Sequence, residues 1–211
     1  MKNYTICLVG QALCSTIVIG GGDVAARKIR GLLAAGAHIT VISPKLTPEL
    51  QTLADTGKIL FLQRCYQEGD LEHASLVIAA TSDIETNHTV WREAQRRGCL
   101  VNVVDDPQHS NFIMPAVLHR GDMSIAVSTG GSSPVLARRL RDIIGNLIGL
   151  EYGLLSEVLG ELRPELIAGF PAGGARLQAV LRVLDSDILN IIRTQGKAAA
   201  LTYGREKMHQ E

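Results

Sequence analysis

The sequence predicts an α/β protein with a parallel sheet in its first half and helices in its last third. Two observations carry this prediction. Short apolar runs alternate with helical patterns as far as Val104, and this alternation is typical of βαβ units that build a parallel sheet. From Leu150 onward only helical patterns follow.

Local signals bound the elements of the first half. Gly36 and Gly98 each follow a helical pattern, where a left-handed residue is favoured. Thr47 and Pro48 form a cap and first-turn pair, and Gly57 ends the helix that they start. The predicted strands cover residues 15–20, 38–43, 59–63, 76–81 and 100–104, and the helices run to residue 35, from 48 to 57 and over 85–97. The fourth strand is apolar enough to lie inside the sheet.

The pattern changes after residue 112. The predicted elements there are extended segments at 112–118 and 123–128 with a turn at 119–122 between them, a helix over 134–148 and a clear later helix over 175–194. Pro164 and residues 170–174 are predicted breaks. We therefore predict three parts, namely a parallel-sheet domain over 1–112, a small mixed segment over 113–149 and a helical domain over 150–211.

Composition and charge argue against several classes of protein. Basic and acidic residues both number 21, so no net charge draws the protein to nucleic acid or an anionic membrane. No apolar run approaches the roughly 20 residues that span a bilayer, and the start lacks a signal-peptide pattern. We expect a cytoplasmic protein without a nucleic-acid or membrane partner. The four cysteines form no C-x-x-C pair and are expected to be small apolar residues in or near strands of a reduced protein.

A glycine-rich segment follows the first strand directly and opens the first helix. Gly20, Gly22 and Ala25 satisfy the pattern G-x-G-x-x-[GA]. Gly20 permits a tight turn, Gly22 lets the backbone approach a pyrophosphate, and Ala25 allows close helix packing. The helix start presents free N–H groups to the anion. In this context we favour dinucleotide binding by a Rossmann-type sheet over a purely structural turn.

The residues after the second strand leave the choice of dinucleotide open. An Asp or Glu that binds the ribose would usually stand there. Ser43, Pro44 and Lys45 stand there instead. Because Lys45 could favour a 2′-phosphate, this position does not decide between NAD and NADP.

Two further segments each allow a functional and a structural interpretation. Asp105 and Asp106 end the fifth strand, and the carboxyl ends of parallel strands form the crevice where ligands bind. A carboxylate there can accept a proton when a hydride leaves a substrate, although Asp-Asp-Pro is also a common polar turn. A loop of glycines and hydroxyls precedes an arginine-rich helix, which makes either an anion site or a solvated helix face. Its residues are Ser128, Thr129, Gly130, Gly131, Arg138, Arg139 and Arg141.

Taken together, four stretches resemble the dehydrogenase and ferrochelatase module of siroheme synthase and its stand-alone relatives, the precorrin-2 dehydrogenases. The matching stretches are VIGGGDVAARKIRGLLAAGAHITVISP (18–44), LVIAATSD (76–83), LVNVVDDPQHSNFIMPAV (100–117) and AVSTGGSSPVLARRLR (126–141). They lie in the family's order over roughly the first 150 residues. The combination is far more specific than the glycine loop, so it favours the functional interpretation of the acidic pair and of the arginines.

The resemblance implies NAD-dependent oxidation of precorrin-2 to sirohydrochlorin, often with insertion of ferrous iron to give siroheme, in a homodimer. It assigns catalysis to Asp105 and favours NAD as cofactor. The mixed segment over 113–149 would then serve dimerisation and the active site. The implied cofactor-binding residues, beyond the glycine loop, are Asp23, Val24, Ser43, Pro44, Thr81 and Ser82. The carboxylates of the tetrapyrrole need local cations, for which the candidates are Arg138, Arg139, Arg141, His119 and Arg120.

Two alternatives remain open. The protein could be a dehydrogenase without chelatase activity, since some stand-alone relatives of the family do only the oxidation, and the scattered histidines predict no metal cage. It could also be a non-catalytic Rossmann module that senses NAD, although such a module would not need the acidic pair or the arginine helix. The chain departs from the family pattern in its lead-in, which carries Cys7 and Cys14. Because it ends at residue 211, we also expect no methyltransferase domain and a separate source of precorrin-2.

Overall fold

The structure is a computed structural model that describes residues 4–210. The chain divides into two compact units, of which the first ends at Met114 and the second begins at Pro115. Within residues 4–210, the first contains a single parallel sheet, and the second contains a hairpin and four α-helices.

Five parallel strands and three helices alternate in the first unit, which confirms the predicted fold class. The strands are β1 (Thr16–Ile19), β2 (Ile39–Ile42), β3 (Leu60–Leu62), β4 (Leu76–Ala79) and β5 (Leu100–Val103), and the helices are α1 (Asp23–Ala34), α2 (Pro48–Asp55) and α3 (Ile84–Arg97). The strand order is β3-β2-β1-β4-β5. The order therefore reverses between β1 and β4, and ligands of such sheets bind outside the carboxyl ends of the strands at this reversal.

The core of this unit covers both faces of the sheet. Every residue of β1 and β4 is buried, as expected for inner strands of a parallel sheet. Ile29 of α1 packs with Val18 on one face, and Val90 of α3 packs with Val77 on the other. This packing holds the carboxyl ends of the strands in place, and the site residues follow directly after these ends.

The predicted helix boundaries of the first unit are confirmed. The Thr47 hydroxyl accepts a hydrogen bond from the Leu50 N–H, with Pro48 at the first helical position. Gly36, Gly57 and Gly98 all have positive φ, at 79°, 69° and 70°. At positive φ glycine has no Cβ to clash with the backbone, which explains why these helix ends could be predicted from the sequence.

The second unit begins with an antiparallel hairpin of β6 (Ala116–Arg120) and β7 (Met123–Val127), followed by α4 (Pro134–Leu147). The prediction of a turn over 119–122 is wrong. His119 and Arg120 belong to β6, where Arg120 pairs with Met123. The turn is shorter because Gly121, at φ 56°, allows a two-residue connection that suits the twist of a hairpin.

Three helices complete the second unit, namely α5 (Glu151–Gly169), α6 (Gly174–Leu184) and α7 (Ile188–His209). The prediction of one helix over 175–194 is wrong, because the chain breaks after Leu184. The Ser186 hydroxyl donates to the Val183 carbonyl, a local bond that competes with the helical pattern. Pro164 also lies inside α5 instead of ending it. The buried side chains of Val158 and Leu162 offset the hydrogen bond that a proline removes.

Two further expectations concern membranes and cysteines. Among the described residues, no single helix is long and apolar enough to cross a membrane. Only α4 and α5 taken together, with a bend of 72° between them, have a sufficient length and apolar composition. All four cysteines are free. Cys99 is buried directly before β5, as expected for a small apolar residue near a strand. Cys14 and Cys65 also lie within three residues of β1 and β3, but they and Cys7 are exposed.

Candidate functional site

The glycine loop between β1 and α1 is shaped by its neighbours in space. Gly20 has φ 115°, and a Cβ there would lie 2.4 Å from the Ala80 carbonyl oxygen. At Gly21 a Cβ would lie 2.1 Å from the Lys45 carbonyl oxygen, whereas at Gly22 it would meet nothing within 4 Å. The first two glycines are therefore required by the fold, and the third lies against open space.

Helix α1 begins with its N–H groups uncapped. Gly22 is the N-cap residue and supplies no side-chain hydrogen bond. The first intrahelical bond runs from the Ala26 N–H to the Gly22 carbonyl, so the N–H groups of Asp23, Val24 and Ala25 have no partner within the helix. Ala25 itself is fully buried. Open space and free N–H groups at one helix end fit the pyrophosphate of a dinucleotide.

The loop after β2 is tied to the glycine loop. The Thr47 N–H donates to the Gly21 carbonyl at 2.9 Å. The buried Ser43 hydroxyl donates to the Lys45 carbonyl at 2.7 Å, which shapes the turn, while Pro44 is exposed. Ser43 and Pro44 thus lie in a loop bonded to the glycine loop, at the edge of the sheet where the cofactor was expected.

A threonine–asparagine pair fixes the end of β4. The Thr81 hydroxyl donates to the Asn87 amide oxygen at 2.9 Å, and the Asn87 amide nitrogen donates to the Thr81 carbonyl at 3.1 Å. Ser82 next to it is exposed. Asn87 was not predicted from the sequence as a site residue. It lies on the same face of α3 as Val90 and Ala94, and a polar residue on an apolar helical face is a signal that the sequence contains.

A cavity of about 300 Å³ lies at this edge of the sheet. It brings together two residues that the sequence predicted, Thr81 and Asp105, with Asn87. Its other lining residues are Ile84, His88, Val103, Val104 and Asp106. A larger cavity of about 510 Å³ lies within the second unit and includes none of the predicted site residues.

Asp105 stands out in its backbone and its side chain. It is the single non-glycine residue with positive φ, at 60°, among residues 4–210. Such a conformation costs of order 1 kcal/mol and clusters at functional sites. The side chain is exposed, and within this part of the chain no hydrogen bond or salt bridge engages its carboxylate. The carboxylate is therefore available to a ligand.

One lysine lies within electrostatic range of that carboxylate. Burial, with help from the Arg27 charge, lowers the pKa of Lys28, and the negative charge of Asp105 opposes this change. Lys28 projects from α1, the helix that follows the glycine loop. The end of β5 therefore carries a free carboxylate with an amine nearby that gives up its proton more readily than an exposed lysine.

Asp106 has a different role from its neighbour. Its Oδ1 accepts hydrogen bonds from the backbone N–H groups of Gln108 and His109, each at 3.2 Å. Its Oδ2 lies 2.6 Å from His109 Nδ1 and 3.7 Å from His88 Nε2. Burial raises the pKa of Asp106, but the hydrogen bonds from His109 outweigh it and lower the pKa overall. The histidines looked scattered in the sequence because this grouping depends on α3 lying beside β5.

The predicted anion loop of the second unit is closed by its own hydrogen bonds. Gly130 and Gly131 have φ of 64° and 88°. The Thr129 hydroxyl donates to the Ser133 carbonyl, and Ser133 caps α4 through the Leu136 N–H. Ser128 accepts from the Gly130 N–H. The start of α4 is thus already capped, unlike the start of α1.

The basic candidates of the second unit fall into two groups. His119, Arg138 and Arg139 are exposed. Arg120 donates to the carbonyls of Gly145 and Ile148, each at 2.8 Å, so its guanidinium closes the end of α4. Arg141 pairs with Asp142. The structure therefore leaves the first group more accessible to an anionic ligand.

Comparison with known proteins agrees with this arrangement. A family model described as putative NAD(P)-binding matches residues 12–116, and one described as sirohaem biosynthesis protein central matches residues 120–147. Siroheme synthase 1 of Aeromonas salmonicida and the siroheme synthase of Chromobacterium violaceum are each 41% identical over 184 residues, which is 87% of this chain and 39% of those proteins. A solved structure of "SirC, precorrin-2 dehydrogenase" has a TM-score of 0.71 and 28% identity, and covers 99% of this chain and 98% of its own.

The chain belongs to the siroheme synthase and precorrin-2 dehydrogenase family. It spans about two fifths of the length of the siroheme synthases it matches, at 39%. The NAD(P)-binding match includes the glycine loop, Thr81 and Asp105, and the central match includes β7 and the three arginines of α4. The resemblance inferred from the four sequence stretches is thereby confirmed.

Proposed function

We propose that the protein oxidises precorrin-2 to sirohydrochlorin with NAD as the hydride acceptor. The observation that carries the proposal is the carboxylate of Asp105, which no group among residues 4–210 pairs with and which is held with positive φ in the cavity that Thr81 also lines. The solved structure similar to 99% of this chain is that of a precorrin-2 dehydrogenase. The open helix start at Gly22 supports dinucleotide binding.

Removing two hydrogens from precorrin-2 releases a hydride and a proton. NAD, when bound, supplies the acceptor for the hydride. The carboxylate of Asp105 is proposed to take the proton, because no hydrogen bond or salt bridge within residues 4–210 occupies it. The N–H groups at the start of α1 bind the pyrophosphate, and Thr81, whose hydroxyl is fixed by Asn87, lines the nicotinamide side with Ser82. NADH, a proton and sirohydrochlorin leave as products.

The acetate and propionate groups of the tetrapyrrole require cations. We propose that the exposed guanidinium groups of Arg138 and Arg139, and the exposed His119, bind them. Arg141 could join after leaving Asp142, since a surface ion pair of this kind is worth less than about 1 kcal/mol. Arg120 would act indirectly, by holding the end of α4.

An anaerobic assay tests the proposed oxidation. Purified protein is mixed with precorrin-2 and NAD, and formation of NADH and sirohydrochlorin is followed by absorbance. We expect equal amounts of the two products, faster turnover with NAD than with NADP, and no NADH when precorrin-2 is omitted. Absence of turnover with both dinucleotides, despite binding, would identify the protein as a nucleotide-sensing module.

Insertion of ferrous iron is a second candidate function. The relatives named siroheme synthases must form an iron-containing product, and this chain resembles only part of them. In this proposal ferrous iron is a co-substrate. Adding it to the same assay should convert sirohydrochlorin to siroheme faster with the protein than without it. Accumulation of sirohydrochlorin at the uncatalysed rate would restrict the activity to dehydrogenation.

We also propose that the protein forms a homodimer through α4. Leu136, Leu140, Ile143 and Leu147 follow one another at intervals of four, three and four residues, and are 39% to 74% exposed. Such a stripe is typical of a helix that packs against another helix. Light scattering should give twice the chain mass of 22.7 kDa, and Leu140→Arg should give a folded monomer. A monomeric wild-type protein would contradict the proposal.

A further inference from the structure

We propose that His88, Asp106 and His109 form a binding site for one divalent transition-metal ion. Each offers one donor atom, and all three donor atoms lie within 4.8 Å of one another. The three side chains are partly buried in the first unit. The proposal does not depend on the proposed oxidation, and its test measures binding alone.

The spacing of the donor atoms suits an ion with small adjustments. Metal–nitrogen and metal–oxygen bonds of about 2.0–2.2 Å place neighbouring donors roughly 3–3.5 Å apart. Asp106 Oδ2 lies 2.6 Å from His109 Nδ1 and 3.7 Å from His88 Nε2. These distances fall on either side of that range, and the third pair of donors, on His88 and His109, lies within 4.8 Å. The three donors are therefore already grouped within a few tenths of an ångström to about 2 Å of the spacing that one ion requires.

The three side chains are also held in place by their surroundings. The backbone N–H groups of Gln108 and His109 bond to Asp106 Oδ1, which directs Oδ2 towards both imidazoles. The rings of His88 and His109 lie 4.4 Å apart between centroids, and Trp91 meets His109 edge-on at 4.7 Å. Orientation of ligands by outer groups is a general feature of metal sites.

A simpler explanation would treat Asp106 as the cap of the short turn at residues 107–109. That explanation accounts for the bonds to Oδ1 and for the His109 contact. It does not account for His88, which lies in α3 and has its Nε2 3.7 Å from the same oxygen. A metal site explains why His88 of α3 and His109 after β5 both place a ring nitrogen near Asp106 Oδ2.

The donor set restricts the ion. Two imidazoles and one carboxylate favour Fe²⁺, Co²⁺, Ni²⁺ or Zn²⁺ over Mg²⁺ and Ca²⁺, which prefer oxygen donors. Three protein ligands leave coordination positions for water or another ligand. Because His88 and Asp106 line the same cavity as Asp105, the ion would be bound at the wall of that cavity.

Trp91 provides a local probe of the site, because it is the single tryptophan of the chain. The 211-residue chain, freed of metal by a chelator, is titrated with Co²⁺ while tryptophan fluorescence and the visible absorption of cobalt are recorded. We expect saturable quenching and new absorption bands at one Co²⁺ per chain. Excess Mg²⁺ should not reverse either signal.

Variants assign the signal to these residues. His88→Ala and His109→Gln should each weaken Co²⁺ binding at least about tenfold, as should Asp106→Asn, which keeps the Oδ1 acceptor for the turn. His38→Ala and His73→Ala are matched controls, because both histidines are exposed and precede strands, at the opposite edge of the sheet. Circular dichroism confirms that each variant is folded. Wild-type affinity in the His88 and His109 variants, or no saturable binding in the unaltered protein, would overturn the proposal.

Discussion

The Asp105→Asn variant should lose at least about a hundredfold in the rate of precorrin-2 oxidation, because general acid–base groups contribute roughly 10²–10⁴ to rates. Asparagine tolerates the positive φ of this position but cannot accept the proton. The glycine loop is unchanged, so NAD should bind as tightly as in the unaltered protein. Steady-state kinetics and calorimetry measure the two quantities.

Two further variants separate catalysis from folding. Asp55→Asn removes an exposed carboxylate at the end of α2 and should leave the rate unchanged. Asp105→Gly removes the side chain and the backbone strain at φ 60°, so it should be inactive yet at least as resistant to thermal unfolding. Oxidation at the unaltered rate in Asp105→Asn would exclude Asp105 from the mechanism.

The Gly22→Asp variant should lose NAD affinity at least about a hundredfold, equivalent to about 2.8 kcal/mol. The new carboxylate would cap the N–H groups that the pyrophosphate needs, and its charge would repel the phosphates. The protein itself should fold, because a Cβ at Gly22 has open space, φ is −87°, and Asp is a favourable N-cap residue. Calorimetry with NAD measures the loss.

Gly31→Asp is the matched control for this variant. It introduces the same charge in the same helix, at an exposed position where a Cβ meets nothing within 4 Å. It should bind NAD as the unaltered protein does. Equal NAD affinity in Gly22→Asp and Gly31→Asp would mean that the glycine loop serves only the fold.

Much of the first unit was predictable because its signals are local. The end of α1 is marked by Gly36 shortly after it, and the start of α2 by its cap residue Thr47, while the apolar strands require burial on both faces. The site residues could be predicted from their positions in the sequence, since Gly20, Gly22 and Asp105 come just after strands whose carboxyl ends meet at one edge of the sheet.

Other features depend on contacts between distant parts of the chain. The need for glycine at position 21 comes from the Lys45 carbonyl, and that position is variable in the motif. The contact of His88 with Asp106 arises only when α3 lies beside β5. In the second unit, Pro164 lies within α5, whose Val158 and Leu162 side chains are buried in the core of that unit. No short stretch of the sequence predicts these contacts, because each joins residues that are far apart in the chain or depends on how side chains pack.

A crystal structure with NAD bound tests the central claim most directly, namely that the edge of the sheet formed by the glycine loop and Asp105 is the dinucleotide site. We expect the pyrophosphate at the N–H groups of residues 23–25. The nicotinamide ring should enter the cavity lined by Thr81 and Asp105. A dinucleotide bound elsewhere, or a nicotinamide ring that points away from Asp105, would contradict this account.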